Sequence, residues 1–347
     1  MERGRECRAA LAAVAATAGA GYASGRELVL FFAQLGATSW LGVAFASVCF
    51  GLLAAALCRA VVRVGPDAPG GFLRPLLGRR VGTMANMLYS LLMSLTAAVM
   101  LAGAGEIGAL TLPLENGFLW GAVLALAAAL GLILSYNKAV PVAGLLTLLA
   151  GAGLYAGLAL DPRAVRVYAR AETSLALENS TGAAILLAAM YAALNACIAG
   201  DALLRFSHRR LDAGRVGLMC GGMMAILLSC ANAAILRGGR DLLSQAMPTV
   251  ILAARWGAPG FWLCAGFTFL CNVGTLAAAL GALLRKLEAG GGERAAGILL
   301  LTLAAALAVT RGLDGAVARV YPALGWLCAL GVGAVAGRLE RRDAPSC

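Results

Sequence analysis

Charge is scarce in this chain of 347 residues: Asp, Glu, Lys and Arg together make up 13% of it, about half the share usual in soluble domains. With 61% of residues apolar and a mean hydropathy of +0.85, a soluble domain is excluded. There is a single histidine, His208, and the ten cysteines include no C-x-x-C pair, so neither a zinc framework nor a disulfide scaffold is expected. No H-E-x-x-H, G-x-S-x-G or P-loop pattern occurs, which argues against an enzyme. Basic residues outnumber acidic ones by 28 to 17, but they fall in short segments between apolar runs. That placement is a membrane-orientation signal, and no nucleic-acid partner is expected.

What the chain has in abundance is apolar runs of about 20 residues, each long enough to cross a bilayer. They predict an all-α integral membrane protein with ten spans, at about 9–35, 38–62, 82–110, 117–135, 139–160, 182–206, 213–236, 259–284, 295–310 and 316–337. The stretch from Asp241 to Gly257 is too short and polar for an eleventh crossing and suits a surface or re-entrant helix on the outer side. With both termini in the cytoplasm, the inner segments carry 19 Lys and Arg residues and the outer ones eight. That bias favours both ends inside. Ten spans in two sets of five form one membrane domain over 1–347, with an inverted repeat relating about 9–160 to about 182–337.

Span one is built to break. Its middle reads Gly19-Ala20-Gly21-Tyr22-Ala23-Ser24-Gly25-Arg26-Glu27, with three glycines in seven residues, each lowering helix propensity by roughly 1 kcal/mol. Freed backbone groups at that depth must be buried in protein or line a cavity. Secondary transporters use such interrupted helices to hold solute and ions. Unwinding is expected from about Gly19 to Ser24, with Ser24 and Glu27 forming an S-x-x-E capping box at the restart. Span six should be interrupted too under the repeat, around Tyr191 to Asn195 with a restart at Gly200-Asp201; a continuous helix with an inward-facing Asn195 is the alternative.

The stretch Ala18-Gly19-Ala20-Gly21-Tyr22-Ala23-Ser24-Gly25-Arg26-Glu27-Leu28, followed by Phe31-Phe32 and Gly36, resembles the YkvI family of bacterial membrane proteins. That family in turn resembles the amino acid–polyamine–cation transporter superfamily, whose members share a five-plus-five inverted-repeat fold. Tyr191 to Asn195 and Phe267-Thr268 are similar to the same pattern. Arg26 departs from it, since family members often carry Gln before the Glu. The resemblance implies a bacterial plasma-membrane location, alternating access, and Na⁺ held by span-one carbonyls at Ala18, Gly19 and Tyr22 with the Thr268 hydroxyl. Thr268 bonding back to its own helix is the plainer reading.

From the residues themselves, the backbone of Gly19, Gly21, Ser24 and Gly25 offers N–H groups to a solute carboxylate. Tyr22, Tyr191 and Asn195 complete the candidate solute site. Glu27 and Glu106 are the acids that could couple a proton, Glu106 as an ionisable group within a span. Arg26 is an outer-gate candidate or a partner of Glu106, while Asp201 and Arg205, spaced i, i+4, form an inner-gate or structural pair. Asn232 and Asn272 read as interhelical glue. The expected function is secondary transport of a small amphoteric solute, an amino acid being the favoured case, with Na⁺ or H⁺ coupling and no cofactor beyond that ion. A membrane receptor or accessory protein that kept the fold is the alternative, and an ion channel is disfavoured for want of a filter-like span.

Overall fold

The computed structural model describes residues 3–65, 73–161, 180–206, 211–239, 242–243, 245, 247–288, 299–300 and 328. Every regular element among them is helical. The first helix is divided into α1 (Arg3–Thr17), α2 (Ala20–Ser24) and α3 (Arg26–Phe31), followed by a 3₁₀ turn over Ala33–Thr38. Then come α4 (Ser39–Val64), α5 (Leu73–Leu77), α6 (Arg79–Thr111), α7 (Gly117–Leu134) and α8 (Tyr136–Leu160). The later helices are α9 (Thr181–Phe206), α10 (Ala213–Gly238), α11 (Pro248–Ala254) and α12 (Ala258–Glu288).

Seven of the described helices are long and apolar enough to cross a membrane, so the protein is a multi-pass membrane protein. They match expected spans two to eight. Span one is absent from the seven because its break leaves pieces of 15, 5 and 6 residues. Expected spans nine and ten lie outside the described residues except for Leu299, Leu300 and Cys328. The ten-span count and the repeat therefore remain expectations.

The broken helix is the centre of the bundle. Ala9, Ala10, Ala12, Ala13, Val14 and Ala16 are wholly or almost wholly buried, and α1 packs on α8, α9, α10 and α12. Small side chains let those four neighbours close in, and on α8 Gly144 lies so close to the Leu11 carbonyl oxygen that a Cβ there would collide with it. Around this axis α4 lies against α9 and α10, while α12 lies against α6 and α7. Outward-facing Leu, Val, Trp and Met side chains on α4, α6 and α7 are exposed, as a lipid-facing surface requires.

One local detail shows how sequence sets geometry here. Pro141 sits inside α8 and has no N–H to give the carbonyl of Asn137 one turn back. The Arg8 guanidinium donates to that carbonyl instead, tying α1 to α8.

Candidate functional site

The break in span one consists of two interruptions around a single helical turn, rather than one unwound stretch from Gly19 to Ser24. The first is at Ala18–Gly19: Gly19 is extended (φ −86°, ψ −163°), and its N–H bonds the Thr17 carbonyl at 2.9 Å. One turn follows, closed by Ala23 N–H to Gly19 carbonyl at 3.0 Å. The second interruption is Gly25, at φ 84°, a left-handed conformation natural to glycine. A Cβ there would also lie 2.7 Å from the Thr249 hydroxyl, so glycine is required twice over.

The left-handed turn removes the expected capping box. Gly25, not Ser24, caps α3, and the Ser24 hydroxyl donates to the Gly21 carbonyl at 3.3 Å while lying 3.4 Å from the Arg26 N–H. Glu27 instead folds over Gly21, whose missing side chain makes the space: a Cβ would meet Glu27 Oε1 at 2.2 Å. Glu27 is buried, 4% exposed. The surface expected to receive a solute carboxylate thus carries the protein's own carboxyl group.

Two of the three carbonyls expected to hold an ion, those of Gly19 and Tyr22, are already engaged. The Gly19 carbonyl takes the Ala23 N–H. The Tyr22 carbonyl accepts from Gly25 N–H at 3.1 Å and from the Tyr155 hydroxyl at 2.7 Å. Tyr155, on α8, also lies 3.2 Å from the Ala23 carbonyl and 2.9 Å from the Thr249 hydroxyl. Neither Tyr155 nor Thr249 belongs to a motif visible in the sequence, and only folding brings them to the break. Ala18 is buried at the first interruption.

Two aromatic trios flank Glu27. Tyr22, Tyr155 and Phe267 meet edge to face at 5.5–6.5 Å, and Tyr191 meets Phe31 and Phe32 at 5.4 and 5.1 Å. Such edge-on contacts are the favourable arrangement for rings. Tyr22 also donates to the Leu227 carbonyl on α10 at 3.1 Å.

Span six is not interrupted. Helix α9 runs unbroken through Tyr191, Asn195 and Gly200. The Asn195 amide donates to the Tyr191 carbonyl at 2.9 Å, and one glycine in this stretch, against three in span one, is too weak a breaker. Thr268 likewise bonds back, to the Cys264 carbonyl at 2.9 Å. The hydroxyl of α12 that reaches span one is Thr275, 3.4 Å from the Ala15 carbonyl and beside Gly19.

At the end of the bundle where α3 starts, Arg26 donates to the carbonyls of Leu243 and Gln245 at 2.9 and 3.3 Å. With Thr249 against Gly25, this draws the segment before α12 over the break. Trp256 secures its far end, donating to Asp161 at 3.0 Å. Glu106 is half-buried on α6. At the opposite end Asp201 is fully buried and meets Arg205 at 3.2 Å and Arg285, from α12, at 3.2 Å. The Arg205 guanidinium also stacks 4.2 Å over the Tyr136 ring, joining α9 to α8. The expected pair is therefore a cluster across three helices.

No protein-family model matches the chain. No curated protein matches it either. Solved structures do: the chain has the multi-pass helical fold of a membrane transporter. It is similar to a manganese transporter of Eremococcus coleocola, crystallised as a histidine-to-alanine mutant, at 12% identity and a TM-score of 0.50, over 99% of this chain and 88% of that one. A second structure of a manganese transporter from that organism, in complex with an aromatic bis-isothiourea substituted compound, aligns at 12% identity and a TM-score of 0.48, over 96% of this chain and 76% of that one.

Proposed function

We propose that the protein is a secondary transporter in a bacterial plasma membrane, moving a small amphoteric solute such as an amino acid past the broken first helix, with both termini in the cytoplasm. The observation that carries this is the doubly broken helix at the buried centre of the bundle, with Glu27 folded onto Gly21. Interrupted helices bounded by packed neighbours are what alternating access requires. The YkvI-like motif of span one supports the same reading.

Glu27 is the acid at the break, so we assign it to the ammonium of the solute or to a coupled proton. Gly19, Gly21, Ser24 and Gly25 shape the wall, and Tyr22, Tyr191 and Asn195 line it. For Na⁺ coupling, the Ala15 carbonyl and Thr275 replace Tyr22 and Thr268 as the favoured ligands, because they approach each other at the first interruption. Arg26 and the Asp201–Arg205–Arg285 cluster are the outer and inner gates, with Glu106 an accessory acid.

Manganese, named for the structural neighbour, is not carried over to this chain. Among the described residues no three His, Cys, Asp or Glu side chains form a group that could hold a metal ion. A receptor that kept the fold is the second reading, favoured by the engaged carbonyls around Tyr22. Uptake of labelled amino acids into proteoliposomes separates the two: accumulation above equilibrium supports transport, whereas saturable binding without accumulation means a receptor.

A further inference from the structure

Asn272 lies near the middle of α12, is 0% exposed, and among the described residues neither its amide nitrogen nor its amide oxygen has a hydrogen-bond partner. The other two mid-span asparagines each make a bond: the Asn195 amide donates to its own helix, and the Asn232 amide nitrogen donates to the Ser39 hydroxyl at 3.0 Å while its oxygen has no partner among the described residues. A buried primary amide with both functions unmade is costly, and more so inside a bilayer. Interhelical glue does not describe it.

Its register says where it stands. Thr268, Asn272 and Thr275 are spaced i, i+4, i+7 and share one face of α12. Thr275 on that face approaches the Ala15 carbonyl and Gly19, at the first interruption of span one. Asn272 is one turn away from that contact, toward the α12 N-terminus. The Thr268 proton is committed to Cys264, and Thr275 is directed at Ala15, so Asn272 carries the uncommitted donor on this face.

Resting on the transport reading above, we infer that Asn272 is a specificity-determining residue of the same site, recognising a neutral group of the solute that both donates and accepts a hydrogen bond. A carboxamide meets that demand best, since two primary amides pair through two hydrogen bonds, and a hydroxyl is next. The solute class is then a polar, uncharged side chain on an amphoteric backbone, rather than an aliphatic one. Glu27 supplies the charge for the ammonium end, and Asn272 reads the other.

The test is a thermal-shift titration of the full chain in detergent with L-glutamine, L-asparagine, L-serine and L-leucine, on wild type, Asn272→Leu and Asn272→Ser. The expected wild-type order places the two carboxamide amino acids first, and Asn272→Leu lowers their affinity at least roughly tenfold relative to L-leucine. Asn272→Ser keeps a donor and an acceptor and falls between. The unliganded Asn272→Leu protein should melt no lower than wild type, because an unpaired amide is lost. Equal binding of L-glutamine and L-leucine by wild type, or an Asn272→Leu variant that retains the preference, overturns the inference and leaves the transport reading standing. A variant that melts several degrees lower without ligand would mean that the amide is paired within the fold, which also overturns it. No shift with any amino acid overturns the amino-acid reading itself, and the inference with it.

Discussion

The Tyr155 hydroxyl donates to the Tyr22 carbonyl at 2.7 Å, so a side chain from span five closes the bend of span one. That carbonyl lies in the last turn before Gly25, where helical partners run out. Thr249 lies 2.9 Å from the same hydroxyl and extends the chain of bonds to the segment over the break. Replacing Tyr155 by Phe keeps the ring contacts with Tyr22 and Phe267 but takes a second donor from the buried Tyr22 carbonyl and a partner from the buried Thr249 hydroxyl. The expected loss is about 1–3 kcal/mol, read as a lower melting temperature in detergent. Thr249→Val should cost less, and the double variant less than the sum of the two, because the bonds are shared.

Gly21 and Glu27 form a second such pair. Adding a methyl group at Gly21 drives it into the Glu27 carboxyl, so Gly21→Ala should destabilise by about 1–3 kcal/mol or displace Glu27. Shortening the partner relieves the clash: Gly21→Ala combined with Glu27→Ser should melt above Gly21→Ala alone. Additive effects in that cycle would show that the two positions are not coupled.

Asp201 carries the other end of the bundle. Its carboxylate is wholly buried while Arg205 and Arg285 stay 20% and 29% exposed. Removing the charge with Asp201→Asn leaves two arginines facing each other, which water at their exposed edges softens in part. We expect a loss of about 1–3 kcal/mol, below the roughly 3–5 kcal/mol of a fully buried pair. Arg285→Gln, which leaves the Asp201–Arg205 pair, should cost less. Melting temperatures of the three proteins check the order.

Much of this was legible in the sequence and some was not, for physical reasons. Spans two to eight follow from apolar length alone. The break in span one follows from glycine density, yet its true geometry turned on the left-handed Gly25, which composition does not reveal. Span six was expected either to break by symmetry or to run on as a continuous helix, and it runs on, because a helix breaks for its own residues and Asn195 has a partner four residues back. Thr268 was named as an ion ligand by resemblance, with bonding back to its own helix as the plainer reading, and it bonds back; which threonine meets Ala15 depends on the rotation of α12 against α1, a packing quantity. Tyr155, Arg285 and Asn272 became informative only through partners, or the lack of them, supplied by the fold.

Orientation is open to a direct measurement. With native cysteines replaced, a cysteine at Glu115, in the exposed turn between α6 and α7, should react with an impermeant maleimide in intact cells. A cysteine at Arg80, exposed at the start of α6, should react only after lysis. The reverse pattern would place the termini outside.

The coupling ion separates the two chemistries at the break. If Na⁺ is held between the Ala15 carbonyl and the Thr275 hydroxyl, Thr275→Val removes one oxygen ligand at nearly constant shape. Uptake by wild type should then vanish in sodium-free buffer at fixed pH, and Thr275→Val should raise the Na⁺ concentration for half-maximal uptake several-fold. Thr268→Val should shift it less, since that hydroxyl's proton stays with Cys264. A proton-driven carrier behaves otherwise: uptake persists without sodium and rises as the outside pH falls, because protonation of the coupling acid on that side drives the cycle. Glu27, buried against Gly21 between the two aromatic trios, is then the acid to test, and Glu27→Gln should flatten the pH profile while Thr275→Val leaves it unchanged. Full sodium-free uptake by wild type therefore rules out the Thr275 site and moves coupling to Glu27.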